Sequence, residues 1–465
     1  MGFRKEADSL GEVEVPDDKY WGAQTQRSVD NFPFRSSGHV IFPTEFIYAL
    51  AIVKRACAEV NKDLGLIDEK IAEVIIQVTD EIRGGKLDDH FPLVIWQTGS
   101  GTQTNMNMNE VISNRAIEIL GGSLGTKTPV HPNDHVNRSQ SSNDIIPTVM
   151  HVSAVQAISN HLIPALNRLL SILTEKMEEY KDVIKSGRTH LMDATPISLG
   201  QEFSGYATQI RHGITRITNA LPHLYELAIG GTAVGTGINS HPEFAERAAS
   251  RIAVLTNLPF VSSENKFEGM ASHDAIVEIS GAIKVVSVSL MKIANDIRWM
   301  GSGPRNGLQE LILPANEPGS SIMPGKINPT QSESVTQVVA QILGNDVSIS
   351  FAGSQGNFEL NVFKPVMIFN LLQSIQLLGD VAINFADRCV NGLIVNHTKL
   401  KENLNQNLML VTLLSPIVGY ERAASIAHKA YTQGKTIREV VREEDLISEK
   451  KLDKILNPAN LISPS

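Results

Sequence analysis

Four stretches of this chain concentrate small, polar and charged side chains where helix periodicity would otherwise place core or a solvated face. They are Thr98–Asn107 (TGSGTQTNMN), His131–Asp144 (HPNDHVNRSQSSND), Ser186–His190 (SGRTH) and Gly319–Pro329 (GSSIMPGKINP). Any one alone reads as an ordinary turn or helix cap; all four together call for a functional reason. The last is the most informative. Asn328, Pro329 and Gln331 have the types of an N-cap, a helix-first proline and a capping partner, which puts Lys326 just ahead of a helix N-terminus that already attracts anions. Gly319, Ser320, Ser321, Pro324 and Gly325 form a loop able to turn backbone N–H groups inward. Pro324 and Ile327 spoil a P-loop, and the segment after Ser321 lacks the closing glycine of a nucleophile elbow. The remaining chemistry is a carboxylate-binding loop that holds a serine; the bland reading is a capped helix with an incidental lysine.

Other candidates follow from residue type. Glu333, one turn into the helix after Pro329, could fix the tautomer of His190 and raise its basicity. His131 and His135 are four apart with Asp134 between them, but Pro132 interrupts the pair and no further ligand motif accompanies it, so a metal site is not expected. The run from Gly230 to Gly237 lacks the spacing of a dinucleotide site and reads as a tight loop.

These segments need a scaffold, and the periodicity supplies mainly helices. Apolar residues recur at helical spacing over 149–180 with a kink expected at Pro164, over 275–300 on nearly every face, over 329–349, and over 362–385. A helix apolar all round must be surrounded, by a large bundle or by other subunits. The reading is three domains: 1–139, shorter helices with turns; 140–396, a central bundle of long helices; and 397–465, small helices around 415–431, 437–441 and 449–455. Few strand signals stand between them.

Composition narrows the function. The chain has 465 residues, with 41 Lys and Arg against 50 Asp and Glu, a net charge of −9. That disfavours nucleic acid as a partner. Aromatics at 5% lean towards helices built on aliphatic residues. Two cysteines suit a reducing compartment, no segment approaches about 18 uncharged apolar residues in a row, and the first residues lack the apolar stretch of a signal peptide. The expectation is a cytoplasmic protein with no membrane contact.

In order along the chain, Ser100–Asn109, His131–Asp134, Ser139–Asn143, Gly187–His190, Gly231–Gly237 and Gly319–Asn328 resemble the signature segments of the fumarase/aspartase superfamily of lyases, and within it class II fumarases. The resemblance covers essentially the whole chain. It implies the mainly α, three-domain fumarase/aspartase-like fold, a homotetramer around long helices, and active sites each shared between three subunits. The implied reaction is reversible addition of water across fumarate to give L-malate, with no metal and no organic cofactor.

By matching position, Ser320 is the catalytic base, Thr189 and His190 meet the substrate and its water, and Glu333 partners His190. Ser100, Gly101, Thr102, Ser141, Ser142, Asn143, Ser321, Lys326, Ile327 and Asn328 bind substrate. His131, Pro132, Asn133 and Asp134 correspond to a second, non-catalytic dicarboxylate site, with Thr128 standing where part of the family has a basic residue.

The chemistry accounts for these types. Removing the C3 proton of malate builds an aci-carboxylate with two negative charges, so fixed donors and a cation are the main need, and the loss of one such donor costs on the order of 3 kcal/mol. Anti elimination places acid and base on opposite sides of the substrate, with the reverse assignment of Ser320 and His190 as the alternative. Ser320 must be activated, here by loop N–H groups and Lys326. Arg188, Lys326 and helix N-termini are the candidate sources of local positive field in a chain of net negative charge. The competing functions are aspartate ammonia-lyase or another lyase of the superfamily, and a non-catalytic structural protein that keeps the fold.

Overall fold

The computed structural model describes residues 2–34 and 40–463; residues 1 and 464–465, at the ends of the outer domain ranges read from the sequence, lie outside them. It is mainly α, as expected. The chain opens with an antiparallel hairpin, β1 (Phe3–Asp8) and β2 (Gly11–Pro16). Six helices follow: α1 (Ala23–Asn31), α2 (Thr44–Asp63), α3 (Glu69–Arg83), α4 (Thr102–Ile119), α5 (Ser142–Ala157) and α6 (Ile163–Glu179). A second hairpin, β3 (Ile184–Thr189) and β4 (Met192–Ser198), leads into α7 (Leu199–Tyr225), α8 (Phe244–Thr256) and α9 (Lys266–Ala271). The remaining long helices are α10 (Asp274–Met300), α11 (Thr330–Gly353) and α12 (Lys364–Arg388), before a run of short helices that closes the chain.

Two compact units result. The first comprises residues 1–164, 215–285 and 340–379, the second 165–214, 286–339 and 380–465. In the first, α2 packs on α3, α5 and α8, and α4 packs on α3 and α5. In the second, the end of the chain forms a core of its own around Leu414, Ile426, Ala430, Val440 and Leu452.

Local chemistry explains the element ends. Asp68 caps α3 by accepting from the Lys70 N–H, and Arg83 lies in its last turn against the dipole. Just before Pro164, where a kink was expected, the helix takes a π turn at Ile158–Leu162, because the ring cannot supply the N–H for an α-helical bond to Asn160. Helices α10, α11 and α12 lie within a few residues of their expected bounds, whereas α7 and both hairpins were not apparent from the sequence.

Ile283, Leu290, Ile293 and Ile297 of α10 are buried, yet Val285, Val288 and Trp299 stay exposed. One expectation fails. The segment Lys364–Gly392 contains an 18-residue window of mean hydropathy 1.6 and is long and apolar enough to cross a membrane by length and composition, although 56% of that window is buried in the chain.

The backbone approach that matters most for the site is at Gly99. Its carbonyl accepts the Lys364 N–H at 3.2 Å, and a Cβ there would lie 1.3 Å from the Val362 carbonyl oxygen. Gly99→Ala is therefore expected to cost about 3 kcal/mol in denaturant unfolding through overpacking. Gly281→Ala, in open space within α10, should be neutral or stabilising by up to about 1 kcal/mol. Equal unfolding midpoints for the two variants would contradict this packing.

Candidate active site

In the first unit, two helices begin at neighbouring points. Gly101 precedes α4 in the left-handed region (φ 75°), where a Cβ would also run into Ile146 at 2.9 Å. Thr102 is the first residue of α4 and Ser142 the first of α5. Thr102 Oγ1 lies 2.8 Å from Ser100 Oγ and 2.7 Å from Ser142 Oγ, so three hydroxyls form one chain across both N-termini. Two helix dipoles and rotatable hydroxyls make this an arrangement suited to an anion.

Its neighbours are already committed to structure. Ser141 caps α5 by accepting from the Asn143 N–H, in a capping box with Asp144, and Asn143 Nδ2 donates to the Ala233 carbonyl at 2.8 Å. The Asp144 carboxylate is buried and accepts from the N–H groups of Ser141, Gly230 and Thr232. Burial pushes its carboxyl up to about 6, against the pull of those three donors.

Sequence reasoning missed what lies beneath. Lys54 of α2 is fully buried and donates to Asn137 Oδ1 at 3.0 Å and Gln140 Oε1 at 2.9 Å; burial lowers its ammonium to about 7. Asn105 and Asn109 of α4 donate to the same Asn137 oxygen, and Ser139 donates to Asn61 of α2. This buried polar network holds the turn that leads into Ser141. The one sequence signal for it was a lysine inside the apolar run LAIVKRACAEV.

The 131–134 segment is also in the first unit and stands apart as a π turn. His131 Nδ1 accepts from the Asn133 and Asp134 N–H groups, and His135 Nδ1 accepts from the His131 N–H. One nitrogen of each ring is thus occupied by backbone. Among the described residues no group of three His, Cys, Asp or Glu is placed to hold a metal ion.

The second unit carries the rest. Strands β3 and β4 are joined by His190 and Leu191, both at positive φ (58° and 62°), the geometry of a two-residue hairpin turn that glycine or asparagine would adopt more readily. Thr189, His190, Leu191 and Met192 are all exposed there. The hairpin is pinned from below. Asn407 donates to Ser186 Oγ and to the Ala194 carbonyl.

The Gly319–Asn328 loop closes on itself. The Gly319 N–H donates to the Lys326 carbonyl at 2.8 Å, and Asn328 Nδ2 donates to the Gly319 carbonyl at 2.6 Å. Asn328 is therefore a tie across the loop and not the expected N-cap, and α11 begins two residues later at Thr330. Ser320 Oγ accepts two backbone N–H groups, from Ile322 (3.2 Å) and Met323 (2.9 Å). Lys326 Nζ donates to Asn328 Oδ1, and an open cavity of about 440 Å³ lies along the loop, lined by Ser320, Lys326 and Ile327 among others. Ser321 and Ile327 are exposed.

Two expectations change. Arg188 does not contribute a free positive field, because it is ion-paired at 2.8 Å with the buried carboxylate of Glu310. Glu333 is half-buried on α11, and no hydrogen bond or ion pair joins it to His190 among the described residues of this single chain.

The comparisons agree with this architecture. The lyase family profile matches residues 11–344, and the fumarase C C-terminus profile matches 410–463. The chain is 56% identical to the mitochondrial fumarate hydratase of Homo sapiens over 99% of its length and 90% of that protein. It is 54% identical to the class II fumarate hydratase of Nitrosomonas europaea over 99% of both. The crystal structure of a recombinant class II fumarase from Schistosoma mansoni superposes with a TM-score of 0.95, at 45% identity and covering 98% of each chain. The chain belongs to this lyase family. Within it, it belongs with the class II fumarate hydratases.

If the linked hydroxyls bind a carboxylate, Thr102→Val should raise KM for the substrate about tenfold or more, the cost of an unmade hydrogen bond to a charged group, with a melting temperature close to wild type. An unchanged KM in steady-state kinetics would remove Thr102 from the binding site.

Proposed function

We propose that this chain catalyses the reversible hydration of fumarate to L-malate, the tricarboxylic acid cycle reaction, by anti addition of water through an aci-carboxylate intermediate. Full-length similarity to fumarate hydratases supports the reaction. The observation that carries the residue-level reading is Ser320 Oγ accepting two backbone N–H groups. Those donors stabilise a deprotonated hydroxyl and so lower the cost of using serine as a base.

In the dehydration direction, from malate, Ser320 takes the C3 proton. Lys326, Asn328 and the loop N–H groups hold the carboxylate that gains the second negative charge. His190, with Thr189 beside it, delivers the proton that lets hydroxide leave as water from the opposite side. Ser100, Thr102, Ser141, Ser142 and Asn143, with Gly101 giving the close backbone approach, take a substrate carboxylate at the paired N-termini. Ser321 and Ile327 shape the exposed side of the pocket. The segment His131–Asp134 is a second dicarboxylate site, where the outward ring N–H of His131 is the donor.

The same proposal includes a homotetramer with active sites shared between subunits, so that Glu333 meets His190 of another copy. Three features support it. His190 is presented on an exposed hairpin tip, the Ser320 loop is open to solvent, and α10 leaves Val285, Val288 and Trp299 uncovered. The three-domain division at residues 139 and 396 belongs to it too, supported by the separate profile match at 410–463. Cytoplasmic location is in keeping with two buried, unpaired cysteines, while some relatives carry "mitochondrial" in their names.

The purified protein should generate the ultraviolet absorbance of fumarate from L-malate and release no ammonia from aspartate. Ser320→Ala and His190→Asn should each lower kcat at least about 100-fold, the equivalent of about 3 kcal/mol. Ammonia from aspartate with malate untouched would overturn the reaction. Near-normal turnover in Ser320→Ala or in His190→Asn would overturn that residue's role.

A further inference from the structure

The carboxylate of Glu310 is almost wholly buried, and it receives both cations of β3. Arg188 Nη2 lies 2.8 Å from Oε1 and Lys185 Nζ lies 3.0 Å from Oε2. Residues three apart on a regular strand face opposite sides. Here the register shifts between Ser186 and Arg188, and the bulge turns both side chains onto one carboxylate. Gly187 allows it, since a Cβ at that position would meet the Thr195 carbonyl at 2.5 Å.

The other charged groups around the pair are few. Glu202 of α7 takes a second contact from Lys185 at 2.8 Å, and Asp193, across the ladder from Arg188, is exposed. Asn403 approaches Glu310 Oε1 at 3.5 Å. Burial alone would raise the Glu310 carboxyl, but Arg188 and Lys185 outweigh it and hold it below the ordinary range.

The backbone of Glu310 is fixed as firmly as its side chain. Its N–H donates to the Met300 carbonyl at 2.8 Å and its carbonyl accepts from the Asn396 N–H at 2.9 Å. The next residue begins the short strand Leu311–Ile312, which pairs with Ile394–Val395 and launches the chain towards Ser320.

We propose that Glu310 is a positioning residue for the reaction: its buried carboxylate, clamped by Lys185 and Arg188, ties the hairpin that presents Thr189 and His190 to the strand that launches the Ser320 loop. It also neutralises Arg188, two residues from His190, and so sets the charge that the imidazole experiences. This inference rests on the assignment of His190 and Ser320 made above. An uncompensated guanidinium two residues away in sequence from a group that must accept and return a proton would, where the two side chains lie close, disfavour the protonated form of that group.

Two variants of opposite sign test it. Glu310→Gln leaves Arg188 uncompensated; it should lower kcat at least tenfold with KM within threefold and, with fumarate as substrate so that His190 acts as the base, move the acid limb of kcat/KM to lower pH. Arg188→Met, at a partly exposed side chain, leaves the carboxylate in excess and should move the same limb to higher pH. Amide hydrogen exchange in Glu310→Gln should quicken in both 184–198 and 313–328. A merely structural role would give lower stability with the limb at its wild-type pH in both variants, and that result, or shifts of one sign, would overturn the proposal. Should Glu310→Gln not fold, the Arg188→Met limb decides alone. Loss of turnover in His190→Asn with no limb shift in Arg188→Met would reject the role of Glu310 while leaving the active-site assignment standing. Full turnover in His190→Asn would reject the assignment itself.

Discussion

A small dianion that must pass through a still more negative intermediate can be held only by donors that are fixed before it arrives. That constraint bears hardest on a chain whose net charge is −9. In the proposed mechanism it is met with dipoles more than with cations. Two helices start side by side and link three hydroxyls, and a ten-residue loop tied from Gly319 to Asn328 points backbone N–H groups at a serine. Of the two side-chain cations the sequence offered, Arg188 is neutralised within its own unit. Lys326 remains, poised on Asn328 at the open edge of its loop.

Much of the rest of the fold serves to hold these donors still. Gly99 lets the N-terminal backbone of α12 approach the turn before Ser100 closely enough for a main-chain hydrogen bond. The network from Lys54 through Asn137 to Asn105 and Asn109 fixes the turn before Ser141 against α2 and α4. A buried polar network of this kind specifies one arrangement of the turn where apolar packing would tolerate several, although the Asn105 and Asn109 amide oxygens have no partner in it. The strain at His190 and Leu191 is carried by a hairpin pinned at Ser186 and Ala194.

The long helices were legible because their apolar residues repeat with helical spacing, and α10 to α12 were bounded within a few residues. The hairpin that carries His190 was not legible, because a two-residue turn made of histidine and leucine lacks the asparagine or glycine that usually betrays one. The candidate residues could be found by type and order, yet their partners could not. Asn328 has the type of a helix cap and instead closes its loop, and Arg188 has the type of a substrate cation and instead meets Glu310, more than a hundred residues away in sequence. Contacts at that separation leave no periodic trace. The apolarity of the segment from Lys364 to Gly392 misleads in the other direction: by composition it could cross a membrane, and within it the buried Ser374 hydroxyl and the Asn370 backbone carbonyl accept from Asn345 Nδ2.

The most direct measurement is a crystal structure of the assembled protein with a non-reacting dicarboxylate bound. The account predicts one carboxylate on the hydroxyls of Ser100, Thr102 and Ser142, the other within hydrogen-bond reach of Lys326 and Asn328, and both Ser320 and His190 flanking the carbon chain. A ligand held only at His131–Asp134, with the paired helix N-termini and the Ser320 loop empty, would contradict it.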